Sequence, residues 1–279
     1  KERHPERRIP VAAPLEEVRE PAARVHAERR QDHQEAPEPQ CRLGRRLREL
    51  GLNSLQDYYS HLQLAGDIEL KALIDVVTTN KTDFYREPAH FEYLLHTALP
   101  KLLQARGTSQ LRVWCAGCST GEEPYTLAMT LSEALRERRG HDFRILATDI
   151  STRVLEHAQR GIYEQSEIEP LPSAWRERYI AFSKDRTKKL VRVRHDLRRR
   201  ISFHRLNFMD EQYLVSKDFH IVFFRNVAIY FERPVQHAVV SRLSSHLLRE
   251  GYLFMGHSES LQTRVEGLAN RGASIFERV

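Results

Sequence analysis

Residues 111–128 constrain the fold more than any other stretch of this chain. They read Leu-Arg-Val-Trp-Cys-Ala-Gly-Cys-Ser-Thr-Gly-Glu-Glu-Pro-Tyr-Thr-Leu-Ala. The apolar run Leu111–Ala116 has the composition of a buried strand, and the two glycines after it permit a tight turn that brings backbone close to a ligand. The acids Glu122 and Glu123 and the proline that follows them are typical of a first helical turn. Strand, glycine turn and helix in this order predict the opening of a nucleotide-type α/β site.

Composition sets outer limits on the function. The chain has 279 residues, of which 41% are hydrophobic, so it can bury the core of one large or two modest domains. It has no apolar run long enough to cross a bilayer and no signal-peptide pattern, which predicts a cytoplasmic protein. A formal net charge of +6 favours an acidic partner, either nucleic acid or an acidic protein surface. The histidines and cysteines show no complete metal-ligand spacing, so no metal site is expected.

The chain before the α/β region is organised in three segments. Residues 1–40 hold six of the twelve prolines and few large apolar residues, and we expect them to be irregular. Residues 41–77 carry apolar side chains at helical spacing and predict a small helical domain with a basic first face. Residues 78–88 crowd polar side chains beside two aromatics and an arginine, which predicts a linker that buries or grips something rather than a passive connection.

Residues 89–279 alternate helix and strand patterns. The second predicted strand, Phe143–Thr148, ends in Asp149, at the place where a nucleotide fold positions the acid that binds the ribose hydroxyls. Residues 161–206 interrupt the alternation with a predicted hairpin and a further strand that begins at Ile201, and this inserted β region is strongly basic. A nucleic-acid surface would show similar charge, although aromatic stacking residues are few here.

Three chemistries compete for the glycine turn. A dinucleotide dehydrogenase would show G-x-G-x-x-G, whereas Gly117 and Gly121 stand four residues apart. A hydrolase fits the letters G-x-S-x-G at 117–121, with Asp149 and His257 in the expected chain order, but the acids after the turn would repel a developing oxyanion. The same acids suit S-adenosylmethionine, because this cofactor carries an ammonium and a sulfonium group.

Five motifs carry a resemblance to a known family. They are T-T-N-K-T-D-F-Y-R-E from Thr78, V-W-C-A-G-C-S-T-G-E-E-P-Y-T-L-A-M from Val113, A-T-D-I-S from Ala147, F-F-R-N-V-A-I-Y-F from Phe223 and G-Y-L-F-M-G-H-S-E-S-L from Gly251. In this order they resemble the chemotaxis receptor methyltransferases, the CheR family, from about Arg42 to Val279. The resemblance implies an α/β fold: an N-terminal helical domain, a linker that closes over the cofactor, and a Rossmann-like methyltransferase domain with a small antiparallel β subdomain at 161–206.

The resemblance also implies roles for individual residues. Those implied to bind the cofactor S-adenosylmethionine are Asn80, Thr82, Arg86, Glu122, Asp149, Asn207, Phe208, Asn226 and Val227. The pair implied to lie near the transferred methyl group is Arg86 and Tyr230. The basic face of the first helix, implied to dock an acidic receptor, consists of Arg42, Arg45, Arg46 and Arg48.

The implied reaction is methylation of glutamate side chains on the cytoplasmic helices of chemoreceptors, with S-adenosylhomocysteine as the other product. We expect a monomer that does not bind nucleic acid and does not insert directly into the membrane. The chain departs from the family pattern in residues 1–40, which do not resemble the helix that usually precedes the arginine-rich segment. It also lacks a glycine at 183–190, where members that bind a receptor's C-terminal peptide have one. A non-catalytic adaptor of the same fold and, with less support, an RNA-directed methyltransferase stay open as alternatives.

Overall fold

The computed structural model describes residues 39–106, 109–138, 140–259 and 265–279. Within these ranges the strands are β1 (Gln110–Ala116), β2 (Asp142–Asp149), β3 (Ile162–Glu164), β4 (Ile180–Phe182), β5 (Leu190–Val193), β6 (Ile201–Arg205), β7 (Phe219–Phe224), β8 (Leu247–Met255), β9 (Leu268–Gly272) and β10 (Ile275–Arg278). The α-helices are α1 (Pro39–Glu49), α2 (Leu55–Ala65), α3 (Asp67–Val77), α4 (Pro88–Tyr93), α5 (Leu99–Arg106), α6 (Glu122–Leu135), α7 (Thr152–Arg160), α8 (Ser173–Tyr179), α9 (His195–Arg198) and α10 (Arg233–Ser245).

The larger sheet has seven strands in the order β6-β2-β1-β7-β8-β10-β9. The first five run parallel, and β10 pairs antiparallel with both β8 and β9. Successive side chains of β1 fall in two separate buried clusters, Val113 and Cys115 in one and Trp114 and Ala116 in the other. Because alternate side chains of a strand point to opposite faces, the sheet is covered on both sides, as expected for parallel strands.

The connectivity opens a crevice at the end of β1. From β1 the sheet extends through β2 and β6 on one side and through β7 and β8 on the other. At such a switch point the connections leave the carboxyl ends of neighbouring strands in opposite directions, which leaves room for a ligand. The predicted strand, turn and helix around the glycines are confirmed, since β1 ends at Ala116 and α6 begins at Glu122.

The inserted β region divides between two sheets. The predicted hairpin is confirmed, because β4 and β5 pair antiparallel, and β3 joins β5 on its other edge to complete a three-stranded sheet. The strand at Ile201 differs from the expectation. It runs parallel to β2, with Ile201 opposite Ile145 and Arg205 opposite Asp149, and so belongs to the larger sheet. The short helix α9 turns the chain back before this strand begins. The antiparallel sheet therefore spans 162–193 rather than 161–206.

The N-terminal helices are held together by a buried polar group. Glu69 of α3 is only 3% exposed, and it accepts hydrogen bonds from Arg46 Nε at 3.0 Å, Arg46 Nη2 at 2.7 Å and the Tyr58 hydroxyl at 2.8 Å. These partners offset the cost of removing a carboxylate from water. Helix α1 already begins at Pro39, two residues inside the segment expected to be irregular, and residues 1–38 lie outside the described residues.

Several elements were not anticipated from the sequence. The helical stretch after the linker is interrupted by a π-helical segment, Leu94–Ala98, between α4 and α5. Helix α8 and strand β9 had no prediction. Strand β9 is largely polar and, among the described strands, pairs with β10 alone, so its sequence lacks the apolar run of a central strand. Among the described helices, none is long and apolar enough to span a membrane.

Candidate functional site

The crevice holds a cavity of about 450 Å³ at the carboxyl ends of β1, β2 and β7, and residues 77–83 of the linker form one wall. Nine of the ten residues assigned above to the cofactor and the methyl group line it: Asn80, Thr82, Arg86, Asp149, Asn207, Phe208, Asn226, Val227 and Tyr230. Glu122 does not line it. A larger cavity of about 680 Å³ lies beside β2 and β6, but none of these ten residues and none of the glycine turn contributes to it.

The glycine turn is closely packed against Val227, which also lines the cavity. Gly117 has φ +86°, and a Cβ at this position would lie 2.4 Å from Val227 Cγ2. No other residue type fits there, since real carbon atoms do not approach so closely. Ser119 joins the turn to its surroundings. Its N–H donates to Asp149 Oδ2 at 2.9 Å, and its hydroxyl donates to the Asn80 carbonyl at 2.9 Å. The turn, the end of β2 and the linker are thus held in one arrangement.

Asp149 presents a carboxylate at the end of β2, where the ribose acid was expected. The residue is 8% exposed, and Oδ1 accepts a hydrogen bond from the Ser151 N–H at 3.1 Å. Burial raises the pKa of Asp149, and the hydrogen bonds from Ser151 and Ser119 oppose that rise. Each oxygen has one backbone partner from these two residues, and a carboxylate oxygen can accept a second hydrogen bond, such as one from a ribose hydroxyl.

Of the two adjacent acids in the first turn of α6, Glu123 lines the cavity and the predicted Glu122 does not. Glu122 is 4% exposed and accepts hydrogen bonds from the Thr120 hydroxyl, with Oε1 at 2.9 Å and Oε2 at 2.7 Å. Burial raises its pKa to about 7. Glu123 lines the cavity, and its Oε1 accepts from the Cys115 thiol at 3.2 Å. Successive residues of a helix point about 100° apart, so only one of two adjacent acids can face the same cavity.

Arg225 is a cavity residue that the sequence analysis missed. It is 4% exposed, and its Nη2 donates to the Arg86 carbonyl at 2.6 Å and lies 3.2 Å from Glu87 Oε2. Its Nη1 lies 3.4 Å from Glu123 Oε2. The guanidinium also lies 5.4 Å from the centre of the Phe91 ring. A charged residue directly after the wholly buried strand β7 was the available signal, because such a residue must find partners inside the protein.

The pair implied to flank the methyl group lies at the mouth of the cavity. Arg86 is half-buried, and its Nη1 donates to the Lys81 carbonyl at 3.2 Å. Tyr230 ends a short 3₁₀ turn, Ala228–Tyr230, and is 59% exposed while it lines the cavity. Tyr230 is therefore not a core side chain. Both side chains are accessible to a substrate that enters from solvent.

One group of metal-ligand types adjoins the site. Among the described residues, Glu87, His90 and His257 place ligand atoms within 4.8 Å of one another. The Glu87 carboxylate already faces Arg225, and the two imidazole rings stack with centres 4.6 Å apart and planes at 29°. Burial lowers the pKa of His90 to about 4, and its Nε2 lies 2.9 Å from the Ala273 carbonyl. The group has the contacts of an ion-pair and ring cluster beside the linker, in which His90 is buried, Glu87 half-buried and His257 exposed.

Two of the four arginines expected to dock a receptor have partners inside the protein. Arg42 donates to the Thr78 carbonyl at 2.6 Å and to the Thr79 hydroxyl at 3.1 Å, and Arg46 is bound to Glu69. Arg45 and Arg48 are exposed. The basic face offered to a partner is therefore smaller than the sequence pattern indicates. Arg42 instead binds Thr78 and Thr79 of the linker, which line the cavity.

Comparison with known proteins agrees with this architecture. Residues 80–275 match the family model described as CheR methyltransferase, SAM binding domain. The chain is 39% identical over 236 residues to the chemotaxis protein methyltransferase of Salmonella typhimurium, covering 84% of this chain and 80% of that protein. It is 39% identical over 238 residues to that of Escherichia coli, with coverage of 84% and 80%. For that of Borreliella burgdorferi the identity is 38% over 228 residues, with coverage of 80% for both chains.

Fold, site and similarity together define an S-adenosylmethionine-dependent methyltransferase. The residues that line the cavity fit this cofactor. Gly117 has no side chain to fill the cavity, and the Asp149 carboxylate can accept hydrogen bonds from ribose hydroxyls. Glu123 places an acid where it can interact with a cationic ligand. The chain belongs to the CheR methyltransferase family, whose model covers most of its length.

Proposed function

We propose that this protein methylates glutamate side chains on the cytoplasmic helices of chemoreceptors and converts them to γ-methyl esters. The observation that carries the proposal is that Arg86 and Tyr230 line the same cavity as Asp149 and the glycine turn, and open it to solvent. The names of the relatives, chemotaxis protein methyltransferases, support chemotaxis as the setting.

The chemistry needs little from the protein beyond positioning. S-adenosylmethionine supplies an electrophilic methyl group on a sulfonium. A glutamate side chain exposed to water titrates with a pKa of about 4.3, so it is ionised at neutral pH and needs no general base. One carboxylate oxygen forms a bond to the methyl carbon while the carbon–sulfur bond breaks, and the bonding electron pair stays on sulfur. The positive charge of the sulfonium and the negative charge of the carboxylate are lost together, so alignment and exclusion of water supply the rate.

Arg86 and Tyr230 have distinct proposed roles in this step. The Arg86 guanidinium is always charged and can bind a carboxylate through two N–H groups, so it would orient the incoming glutamate. The Tyr230 hydroxyl would lie beside the sulfonium and the methyl group that is transferred. Arg225 holds the Arg86 backbone through its carbonyl, which limits the positions from which the Arg86 side chain can reach the substrate.

A methyl-transfer assay tests the proposal directly. The protein is mixed with radiolabelled S-adenosylmethionine and receptor-containing membranes, and the label is tested for release by base, which hydrolyses methyl esters. We expect base-labile label on receptor glutamates. In Arg86→Ala we expect kcat/KM to fall about hundredfold, the usual result of losing substrate alignment. Arg271→Ala is the matched control, because Arg271 pairs with Glu277 on the surface of β9 and β10.

The outcomes separate catalysis from binding alone. Wild-type protein that binds S-adenosylhomocysteine in calorimetry but transfers no base-labile label would contradict the proposed reaction and support a non-catalytic adaptor. Label that survives base treatment would indicate a different acceptor group. Equal kcat/KM for Arg86→Ala and the control would remove Arg86 from its proposed role while leaving the reaction in place.

The first helices are the proposed receptor-docking surface. Residues 41–77 carry the exposed Arg45 and Arg48, and acidic receptor helices would offer charges of the opposite sign. Surface charge pairs of this kind contribute mainly to the rate of encounter and are screened by salt. Arg45→Glu combined with Arg48→Glu should therefore raise KM for the receptor and leave cofactor affinity unchanged. Equal changes in KM for the receptor and in Kd for the cofactor would contradict a docking role.

A further inference from the structure

The last of the five motifs contains a buried acid that none of the roles above uses. Gly256, His257, Ser258 and Glu259 follow β8, and Glu259 is 2% exposed. An acid so deeply buried needs strong partners. Among the described residues, its hydrogen-bond partners are all backbone N–H groups.

The Glu259 carboxylate binds a turn that lies 30 residues or more away in the chain. Oε2 accepts hydrogen bonds from the Asn226 N–H at 2.9 Å and from the Gly256 N–H at 2.7 Å. Oε1 accepts from the Ile229 N–H at 3.3 Å. Both oxygens thus take part, and two of the three donors belong to the turn that follows β7.

This turn carries three of the cavity residues. Asn226, Val227 and Tyr230 all line the cavity, and Asn226 has φ +58°, a left-handed conformation that asparagine adopts more readily than most other non-glycine residues. The Tyr230 N–H donates to the Val227 carbonyl at 3.2 Å and closes the turn. The N–H groups of Asn226 and Ile229 face Glu259 rather than the cavity.

Gly256 makes room for the same contact. A Cβ added there would lie 2.7 Å from Asn226 Nδ2, 2.8 Å from Glu259 Oε2 and 3.0 Å from the Asn226 backbone nitrogen. Any side chain at this position would push the carboxylate and the turn apart. The glycine and the acid of the motif therefore serve one arrangement.

We propose that Glu259 is a positioning residue of the cofactor site, which acts through the turn 226–230 and sets where Val227 and Tyr230 stand. A Cβ added to Gly117 would lie 2.4 Å from Val227 Cγ2, so a small displacement of the turn would narrow or widen this part of the cavity. For Tyr230 the inference rests on the proposed function, and for Val227 it rests on cofactor binding alone.

Glu259→Gln is the first variant to measure. It keeps the side-chain size but exchanges one acceptor oxygen for an NH₂ group that would face a backbone N–H. We expect the Kd for S-adenosylhomocysteine in calorimetry to rise about tenfold or more, since hydrogen bonds to a charged acceptor are among the strong ones. KM for S-adenosylmethionine should rise with it. Glu277→Gln, on the distant β10, is the control for an acid-to-amide change.

A second variant reaches the same turn without altering the acid. Gly256→Ala should raise the Kd in the same direction, whereas Gly44→Ala in helix α1, where the nearest atom to the new Cβ is 3.7 Å away, should leave it unchanged. Folded Glu259→Gln and Gly256→Ala proteins with wild-type Kd would overturn the inference. The Kd is measured without a methyl acceptor, so this test stays informative even where receptor methylation fails.

Discussion

Replacing Glu122 by Gln should stabilise the free protein at neutral pH, and the gain should shrink as the pH falls. Glu122 is buried with one hydroxyl partner, Thr120, and no cation pairs with it among the described residues. Burial raises its pKa from 4.5 to about 7, and the nearby charges of Glu167 and Asp83 act in the same direction. The folded protein therefore holds the proton of this carboxyl more tightly than the unfolded chain does.

The magnitude follows from this pKa difference. Each pKa unit corresponds to about 1.4 kcal/mol, so the rise from 4.5 to about 7 amounts to about 3 kcal/mol. Between these two pKa values the folded state binds more protons than the unfolded state, so the free energy of unfolding falls as the pH rises. Below pH 4.5 and above about pH 7 the contribution of Glu122 to stability is constant. Gln resembles the neutral acid, and because it does not titrate, it makes no pH-dependent contribution.

Urea denaturation of cofactor-free protein at a series of pH values from about 5 to about 8 measures the effect. The stability of Glu122→Gln minus that of wild type should grow through this range, approaching about 3 kcal/mol above pH 7. His90, whose pKa burial lowers to about 4, tilts both curves equally and cancels in the difference. Glu137→Gln, at an exposed position just after α6, is the control and should give a constant difference.

Parallel curves for Glu122→Gln and wild type would refute the reasoning, because they would mean that the acid ionises in the folded protein as easily as in water. Comparison of Glu122→Gln with Glu123→Gln separates the roles of the two neighbouring acids. If Glu123 is the acid that meets the cofactor, Glu123→Gln should raise the Kd for S-adenosylmethionine more than Glu122→Gln does. The reverse order would return Glu122 to the role that its motif implied.

Three further outcomes are expected. Gly117→Ala should lower the free energy of unfolding by about 1–2 kcal/mol, because its backbone is left-handed. It should also weaken cofactor binding. Adding Val227→Ala removes the methyl group that the new Cβ contacts and should restore part of the affinity. Arg225→Met leaves Glu87 and Glu123 without their shared cation and should cost about 3–5 kcal/mol in denaturant unfolding. KM for the receptor should rise with added salt while cofactor Kd changes little, since only the first constant depends on exposed arginines; a salt-independent KM would contradict receptor docking by charge.

Local patterns determined a large part of this protein. The strand, glycine turn and helix at 111–128 follow from apolar periodicity, from glycines that accept positive φ and from acids suited to a first helical turn. Asp149 at the end of β2 and the hairpin of β4 and β5 follow from patterns of a few residues. Such features depend on neighbours in the chain, so the sequence alone contains the information.

Only the tertiary structure decided which polar groups meet. The Arg225 guanidinium reaches a carbonyl 139 residues away, and Glu259 reaches a turn 33 residues away. The choice between Glu122 and Glu123 depends on how α6 is rotated against the sheet, and the side of the sheet on which β6 pairs depends on the path of the preceding chain. Arg42 and Arg46 belong to the same arginine-rich helix as the exposed Arg45 and Arg48, yet their guanidinium groups have partners within the protein. A buried charge is stable only where distant partners converge on it, and that convergence exists only in the packed fold.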